Sequence, residues 1–188
     1  MAISVEREVK LRTSSWLEGE AWLASAGLRE KRYLEINSLF DFGDGTFRER
    51  GQALRIRRAR GSAWLTFKES ARISGRVKHR NEYETTVADP DAVERTLQAI
   101  GLREQFRYEK YRQVHVLGDL EASLDETPIG FFIELEGPAE SIQAAVESWG
   151  LTMNQAVVLS YPELYQEHRR QFPAAPRFMI FPDRESSR

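Results

Sequence analysis

The segment Val5-Glu6-Arg7-Glu8-Val9-Lys10-Leu11 decides how this chain is read. Alternate residues of a strand share a face. Glu6, Glu8 and Lys10 therefore project to one side, and Val5, Val9 and Leu11 to the other. The same sorting applies to five more segments. Arg55 and Arg57 oppose Leu54 and Ile56. Thr66 and Lys68 oppose Leu65 and Phe67. Lys78, Arg80, Glu82 and Glu84 oppose Val77, Tyr83 and Val87. Lys110 and Arg112 oppose Tyr111, and Glu134 and Glu136 oppose Ile133 and Leu135.

One such strand is an ordinary half-buried strand with a solvated face. Six of them form a pattern, because a solvated face would mix Ser, Thr and Gln with its charges. With Asp125 of a neighbouring strand, the charged face holds seven acids: Glu6, Glu8, Glu82, Glu84, Asp125, Glu134 and Glu136. It holds eight bases: Lys10, Arg55, Arg57, Lys68, Lys78, Arg80, Lys110 and Arg112. Period-two patterning predicts strands near 3–12, 35–42, 53–60, 63–69, 77–88, 105–117, 120–126 and 130–136. A sheet of eight strands tends to curl and close. The fold class expected is α+β: an eight-stranded antiparallel β-barrel, or tunnel, with a charged interior and four to six flanking helices.

Three helical stretches are predicted to end on Gly-Leu, at Gly27-Leu28, Gly101-Leu102 and Gly150-Leu151. Val93, Leu97 and Ile100 form an apolar stripe on one of these helices, and Ile142, Ala145, Val146 and Trp149 on another. Ser160-Tyr161-Pro162-Glu163 fits a capping box opening a last helix. One domain is read over 1–172, with a tail over 173–188 whose Phe178-Met179-Ile180-Phe181 run is apolar enough to dock.

Composition narrows the function. The chain has 188 residues, 27 Lys plus Arg, 29 Asp plus Glu and a net charge of -2, so it has no bulk field for nucleic acid or an anionic membrane. With no cysteine, disulfides, thiolate metal sites and Cys nucleophiles are excluded. No membrane span or signal peptide is read in the sequence, and a cytoplasmic location is expected. Monomer and homodimer both stay open. A charge-lined interior is tolerable when it is wet, mutually paired or filled by a charged ligand. Clustered bases call for a polyanion, which Arg grips bidentately. The acids beside them would repel it unless a hard divalent cation bridges carboxylates to phosphates. No GxxxxGK[ST] loop occurs, so side chains would hold the phosphates. The three histidines, His79, His115 and His168, lie outside this scheme as packed or solvated side chains; His168 could reach a tunnel mouth.

These residues resemble the CYTH superfamily, the triphosphate tunnel metalloenzymes. The resemblance starts with E-x-E-x-K at Glu6–Lys10 and L-R-I-R-R at Leu54–Arg58. It continues through T-F-K at Thr66–Lys68, R-x-E-x-E at Arg80–Glu84, K-Y-R at Lys110–Arg112, E-L-E at Glu134–Glu136 and S-Y-x-E-L at Ser160–Leu164. It implies triphosphate contacts from Lys10, Arg55, Arg57, Lys68, Arg80, Lys110 and Arg112. It implies Mg²⁺ or Mn²⁺ ligands from Glu6, Glu8, Asp125, Glu134 and Glu136, and a catalytic group of Glu6, Glu8, Lys10 and Glu136. Glu82 and Glu84 would assist the metal or hold Arg side chains. The substrates implied are tripolyphosphate, ATP or thiamine triphosphate, with hydrolysis as the leading reaction and class IV adenylyl cyclisation second. A polyphosphate or nucleotide sensor without turnover is a third reading, and a nucleic-acid-binding barrel the least favoured.

Two departures bear on that choice. A Tyr that can lie near substrate in the family has no counterpart in Leu39-Phe40-Asp41-Phe42-Gly43. The His-Phe pair often found before the first Glu of the cyclase branch is missing from MAISV. Trp64 is read as a core or packing residue in preference to a platform for an organic base.

Overall fold

The computed structural model describes residues 2–74 and 76–182, with only the backbone of residues 2–5. Nine strands run as β1 (Ala2–Thr13), β2 (Gly27–Asp41), β3 (Ala53–Ala59), β4 (Ser62–Lys68), β5 (Arg72–Ser74), β6 (Val77–Thr86), β7 (Arg103–Leu117), β8 (Leu120–Thr127) and β9 (Gly130–Glu136). Five helices join or flank them: α1 (Trp16–Trp22), α2 (Thr46–Glu49), α3 (Pro90–Ala99), α4 (Ala139–Ser148) and α5 (Tyr161–Gln171). Eight strands close in the order β1-β9-β8-β7-β2-β3-β4-β6, and β6 returns to β1. Every strand pairing is antiparallel. The extra strand, β5, pairs with the start of β6 beyond the reach of β4. This is the expected closed α+β barrel.

Register carries the charged side chains inward together. Glu6 and Glu8 lie opposite Arg80 and Lys78 on β6, while Glu8 and Lys10 lie opposite Glu136 and Glu134 on β9. Glu35 lies opposite Lys110, and Arg112 opposite Asp125. The residues between them point outward into apolar packing. Val9, Leu11, Leu124, Ile133 and Leu135 form a core with Ile142, Ala145 and Val146 of α4. Phe40 and Ile56 form another with Leu97 and Leu102 around α3. The helices thus cover the outside of the barrel, as the sorting of alternate residues implies. Val5 lies outside the described side chains.

Two helix endings match expectation. Gly101 and Gly150 adopt φ of 99° and 72° after α3 and α4. The following leucine N–H groups return to Leu97 and Val146 at 3.0 and 3.2 Å, the close of a Schellman turn. Asp89 caps α3 by accepting from the Ala92 N–H, and Ser160 with Glu163 forms the expected capping box of α5. The first helix differs. It stops at Trp22, and Gly27 already pairs with Val116 as the first residue of β2. Buried Leu23 ends the helix, so Gly27 is a strand residue here and not a helix cap. Ile100 also departs from its stripe: it is 63% exposed, while Val93 and Leu97 pack inward.

One end of the barrel is built differently. There the inward-facing residues turn aromatic, with Phe106, Tyr108 and Phe132, and α5 lays Tyr161, Leu164 and Tyr165 against them. The apolar run after α5 docks beside it. The Met179 N–H donates to the Arg107 carbonyl at 3.0 Å, and the Met179 carbonyl accepts from the Glu109 N–H at 2.8 Å. β8 pairs with β7 only from Tyr111 onward, so Met179 fills the wall where β8 has ended. The Tyr165 hydroxyl fastens this segment by donating to the carbonyls of Pro176 and Phe178. His168 stacks between Tyr165 and Phe172.

Candidate active site in the tunnel

The barrel encloses a cavity of about 970 Å³. Fourteen of the fifteen expected charged residues line it: Glu6, Glu8, Lys10, Arg55, Arg57, Lys68, Lys78, Arg80, Glu82, Glu84, Lys110, Arg112, Glu134 and Glu136. Asp125 is fully buried just behind, in the wall. A smaller cavity of about 220 Å³ opens at the other mouth, sharing Arg57, Glu84, Arg112 and Glu121 with the first. Trp64 and Tyr33 line this second mouth, so Trp64 is a tunnel residue after all.

The wall made by β7, β8, β2 and β3 is a knot of bases tied to buried acids. Arg112 donates to both oxygens of Asp125 at 2.7 Å, and Lys110 reaches the same carboxylate at 2.9 Å. The Tyr161 hydroxyl donates to Asp125 at 2.8 Å. Glu134 pairs with Lys10 at 2.5 Å, with Lys110 at 3.4 Å and with Arg112. Deeper in, Glu35 lies 3.5 Å from Arg57 and 3.6 Å from Lys110. Burial by itself would raise the Glu35 and Glu134 carboxyls, but the surrounding cations outweigh it and hold both below the usual carboxylate range. Burial would likewise lower the Lys10 ammonium, yet Glu134 and Glu8 hold it above its ordinary value.

Two donors on this wall remain unused. Among the described residues, Arg55 Nε, which lines the cavity, and Asn37 Nδ2, which lines neither cavity, are buried without a hydrogen-bond partner, as is the acceptor Glu35 Oε2. Asn37 is fixed because its Oδ1 accepts from Arg57 Nε at 3.2 Å. Buried donors left without acceptors are costly unless something fills the space before them.

The opposite wall, β6, β1 and β9 with Glu121 of β8, is acidic and looser. Glu6 pairs with Arg80 at 2.7 Å and Lys68 at 3.2 Å, and Glu82 shares both cations. Glu84 accepts from Thr66 and lies 3.8 Å from Arg55. Among the described residues Glu8 pairs only with Lys78, at 3.9 Å. Glu136 makes no ion pair among the described residues, although it lies between Glu8 and Glu121 in register. Burial and the negative charges of Glu6, Glu121 and Glu8 push the Glu136 carboxyl up to about 7.

A hard divalent cation takes oxygen ligands and keeps several for water or phosphate. Glu8, with one distant lysine, and Glu136, with no ion pair among the described residues, fit that demand, with Glu6 on the same face. Asp125 and Glu134, expected as ligands, have their oxygens engaged by bases. Among the described residues no three His, Cys, Asp or Glu side chains gather into a metal cage, so a cation here would draw further ligands from substrate and water.

Sequence reasoning missed Glu35, Asn37, Glu121, Tyr108 and Tyr161 as interior groups. Glu35 and Asn37 obey the same alternation as the other strands and were legible by it. Glu121 shares alternation with Asp125 in the same strand. Tyr161 had no such signal, because a helix delivers it.

A family model for the CYTH domain matches residues 4–155. The chain belongs to the CYTH family. A Methanocaldococcus jannaschii protein provisionally named an adenylate cyclase is 30% identical over 134 residues, covering 70% of this chain and 76% of that one. A solved Vibrio parahaemolyticus structure with the same provisional name superposes with a TM-score of 0.73 at 16% identity, covering 87% and 98% of the two chains. A Hippeastrum protein, provisionally named an adenylyl cyclase and described as having a dominant triphosphatase activity, gives a TM-score of 0.64 at 19% identity, covering 87% and 95%. CYTH proteins are enzymes acting on triphosphates. No helix among the described residues is long and apolar enough to cross a membrane.

Proposed function

We propose that this CYTH protein is a divalent-metal-dependent triphosphatase that hydrolyses the terminal phosphoanhydride of tripolyphosphate or of an organic triphosphate such as ATP or thiamine triphosphate. The observation that carries the reading is the buried Arg55 Nε, which lines the cavity without an acceptor among the described residues, on a wall that already holds Arg57, Lys110 and Arg112. A chain of phosphate oxygens supplies such an acceptor. Lys10, Arg55, Arg57, Lys110 and Arg112 would grip the chain from one side, and Lys68 and Arg80 would reach it from the other. Glu8 and Glu136, with Glu6 beside them, would hold Mg²⁺ or Mn²⁺, which when bound offsets charge on the transferring phosphoryl group. Positioning and charge neutralisation are most of what phosphoryl transfer needs.

Class IV-type adenylyl cyclisation, in which the ribose 3′-hydroxyl displaces pyrophosphate, is the second reading. The names of the Methanocaldococcus and Vibrio proteins favour it. The activity described for the Hippeastrum protein favours hydrolysis. A panel of tripolyphosphate, ATP, GTP and thiamine triphosphate with Mg²⁺ or Mn²⁺ decides it. Orthophosphate from tripolyphosphate is expected. Cyclic AMP and pyrophosphate from ATP, with tripolyphosphate inert, would overturn hydrolysis in favour of cyclisation.

A further inference from the structure

Among the described residues, Tyr161 is the helical side chain that enters the base knot. It sits at the first turn of α5, where the Ser160–Glu163 capping box fixes the backbone and Pro162 fits the helix start. Its ring packs edge-on to Phe132, with centroids 5.4 Å apart, and tilts against Tyr108 at 5.7 Å. Two ammonium groups face the same ring: Lys10 Nζ is 4.5 Å from its centroid and Lys110 Nζ is 5.0 Å. The hydroxyl donates to Asp125 Oδ2 at 2.8 Å, the oxygen that Lys110 and Arg112 also share.

We infer that Tyr161 is a positioning residue that sets how firmly Lys10, Lys110 and Arg112 are held by the protein's own acids, and so how readily they turn to phosphate. This rests on the triphosphate reading above. The physics has two parts. The aromatic face attracts both ammoniums without competing for their hydrogen bonds. A lysine held this way keeps its N–H groups for oxygen acceptors. The hydroxyl, meanwhile, satisfies part of the Asp125 charge. Without it, Asp125 has fewer donors and holds Lys110 and Arg112 harder. Burial and the neighbouring Asp125 charge keep the phenol protonated, so it acts as a donor throughout the neutral range.

Two variants separate the parts. Tyr161→Phe keeps the ring and loses the donor. It is expected to raise KM for tripolyphosphate about fivefold, the weight of one hydrogen bond, with kcat changed less than twofold. Tyr161→Leu loses the ring as well and should add about threefold more. A readout independent of substrate comes from the ammonium resonances of Lys10 and Lys110 in the full chain. The ring should shield both, so they should shift downfield in Tyr161→Leu and hold in Tyr161→Phe. Ammonium resonances that ignore Tyr161→Leu would overturn the inference. So would a Tyr161→Phe protein that loses only thermal stability and keeps its KM. If the resonances respond as stated while wild-type protein neither binds nor hydrolyses tripolyphosphate, the positioning of the lysines stands and the triphosphate reading falls.

Discussion

The two walls of the tunnel carry similar charges in opposite conditions. Around the base knot of Lys110 and Arg112 on β7, Asp125 of β8 and Glu134 of β9 are each surrounded by two or three bases at hydrogen-bond distance. Toward Glu8 and Glu136 on β1 and β9, Glu8 has one distant lysine among the described residues and Glu136 lies among other carboxylates. The first arrangement stabilises itself; the second holds unspent charge. A protein can therefore line one cavity with both structural and ligand-seeking carboxylates. What separates them is the local tally of partners, not the residue type.

The largest effect should come from cutting the self-sufficient wall. Asp125→Ala would leave Arg112, Lys110 and the Tyr161 hydroxyl without their shared acceptor. Removing one partner of a buried ionic group typically costs about 3–5 kcal/mol. Chemical denaturation should show a loss of that order. A change below about 1 kcal/mol would mean the knot contributes little and the contrast between the walls is false.

Next comes the other wall. Glu136→Gln removes charge that no base compensates. Turnover of tripolyphosphate with Mg²⁺ should fall about 100-fold, the loss expected from removing one group that stabilises transition-state charge. The metal-free protein should melt no lower than wild type. Glu134→Gln sharpens the comparison, because it should lower the melting temperature as well as turnover. If Glu136→Gln retains turnover and Mg²⁺ dependence, the acidic wall is not the cation site.

Arg57→Ala should have a smaller effect, and a uniform one. Arg57 belongs to both cavities and contacts Glu35 and Asn37. A charge-assisted contact to phosphate contributes about 1.5–3 kcal/mol, so KM should rise about tenfold or more. The rise should be equal for tripolyphosphate, ATP and thiamine triphosphate, since the phosphate chain is what they share. A loss confined to one organic triphosphate would instead place Arg57 against its organic group.

How far the sequence reveals this contrast depends on the origin of each residue. The tunnel and its lining were legible because closure of an eight-stranded sheet follows from strand count, and facing follows from alternation. β2 was legible only from Glu35 onward. Register shifts between Leu28 and Glu30, and again between Glu30 and Tyr33, break the period of two before that point. β5 has three residues, too few for any period to show. The partition of acids was not legible, because it turns on cross-strand neighbours such as Glu136 opposite Glu8 and Glu121. Tyr161 could not be sorted onto a wall at all, since helix packing and not strand parity brings it inside.

The smallest effect tests the contrast by pH alone, without substitution of the base knot. Glu136 is raised to about 7, above its ordinary value of 4.5. Its protonated form is favoured by the fold, so the stability linked to it is fully present below about 4.5 and is lost as pH rises through about 7. Glu134 and Glu35 are lowered, so their contribution is present above the unfolded carboxylate range and lost on acidification below it. From pH 5.5 to 8 this pair is ionised in the folded protein and nearly so in the unfolded chain, so it adds little slope, which leaves Glu136 to dominate the carboxylate response. The melting temperature of metal-free protein should therefore decline slightly from pH 5.5 to 8 relative to the Glu136→Gln variant. Mg²⁺ should reverse the decline, because a bound cation favours the ionised carboxylate, and its stabilising effect should be greater at pH 8 than at pH 6. Identical pH profiles for wild type and Glu136→Gln, with and without Mg²⁺, would show that Glu136 is as well compensated as Glu134 and that the two walls do not differ in kind.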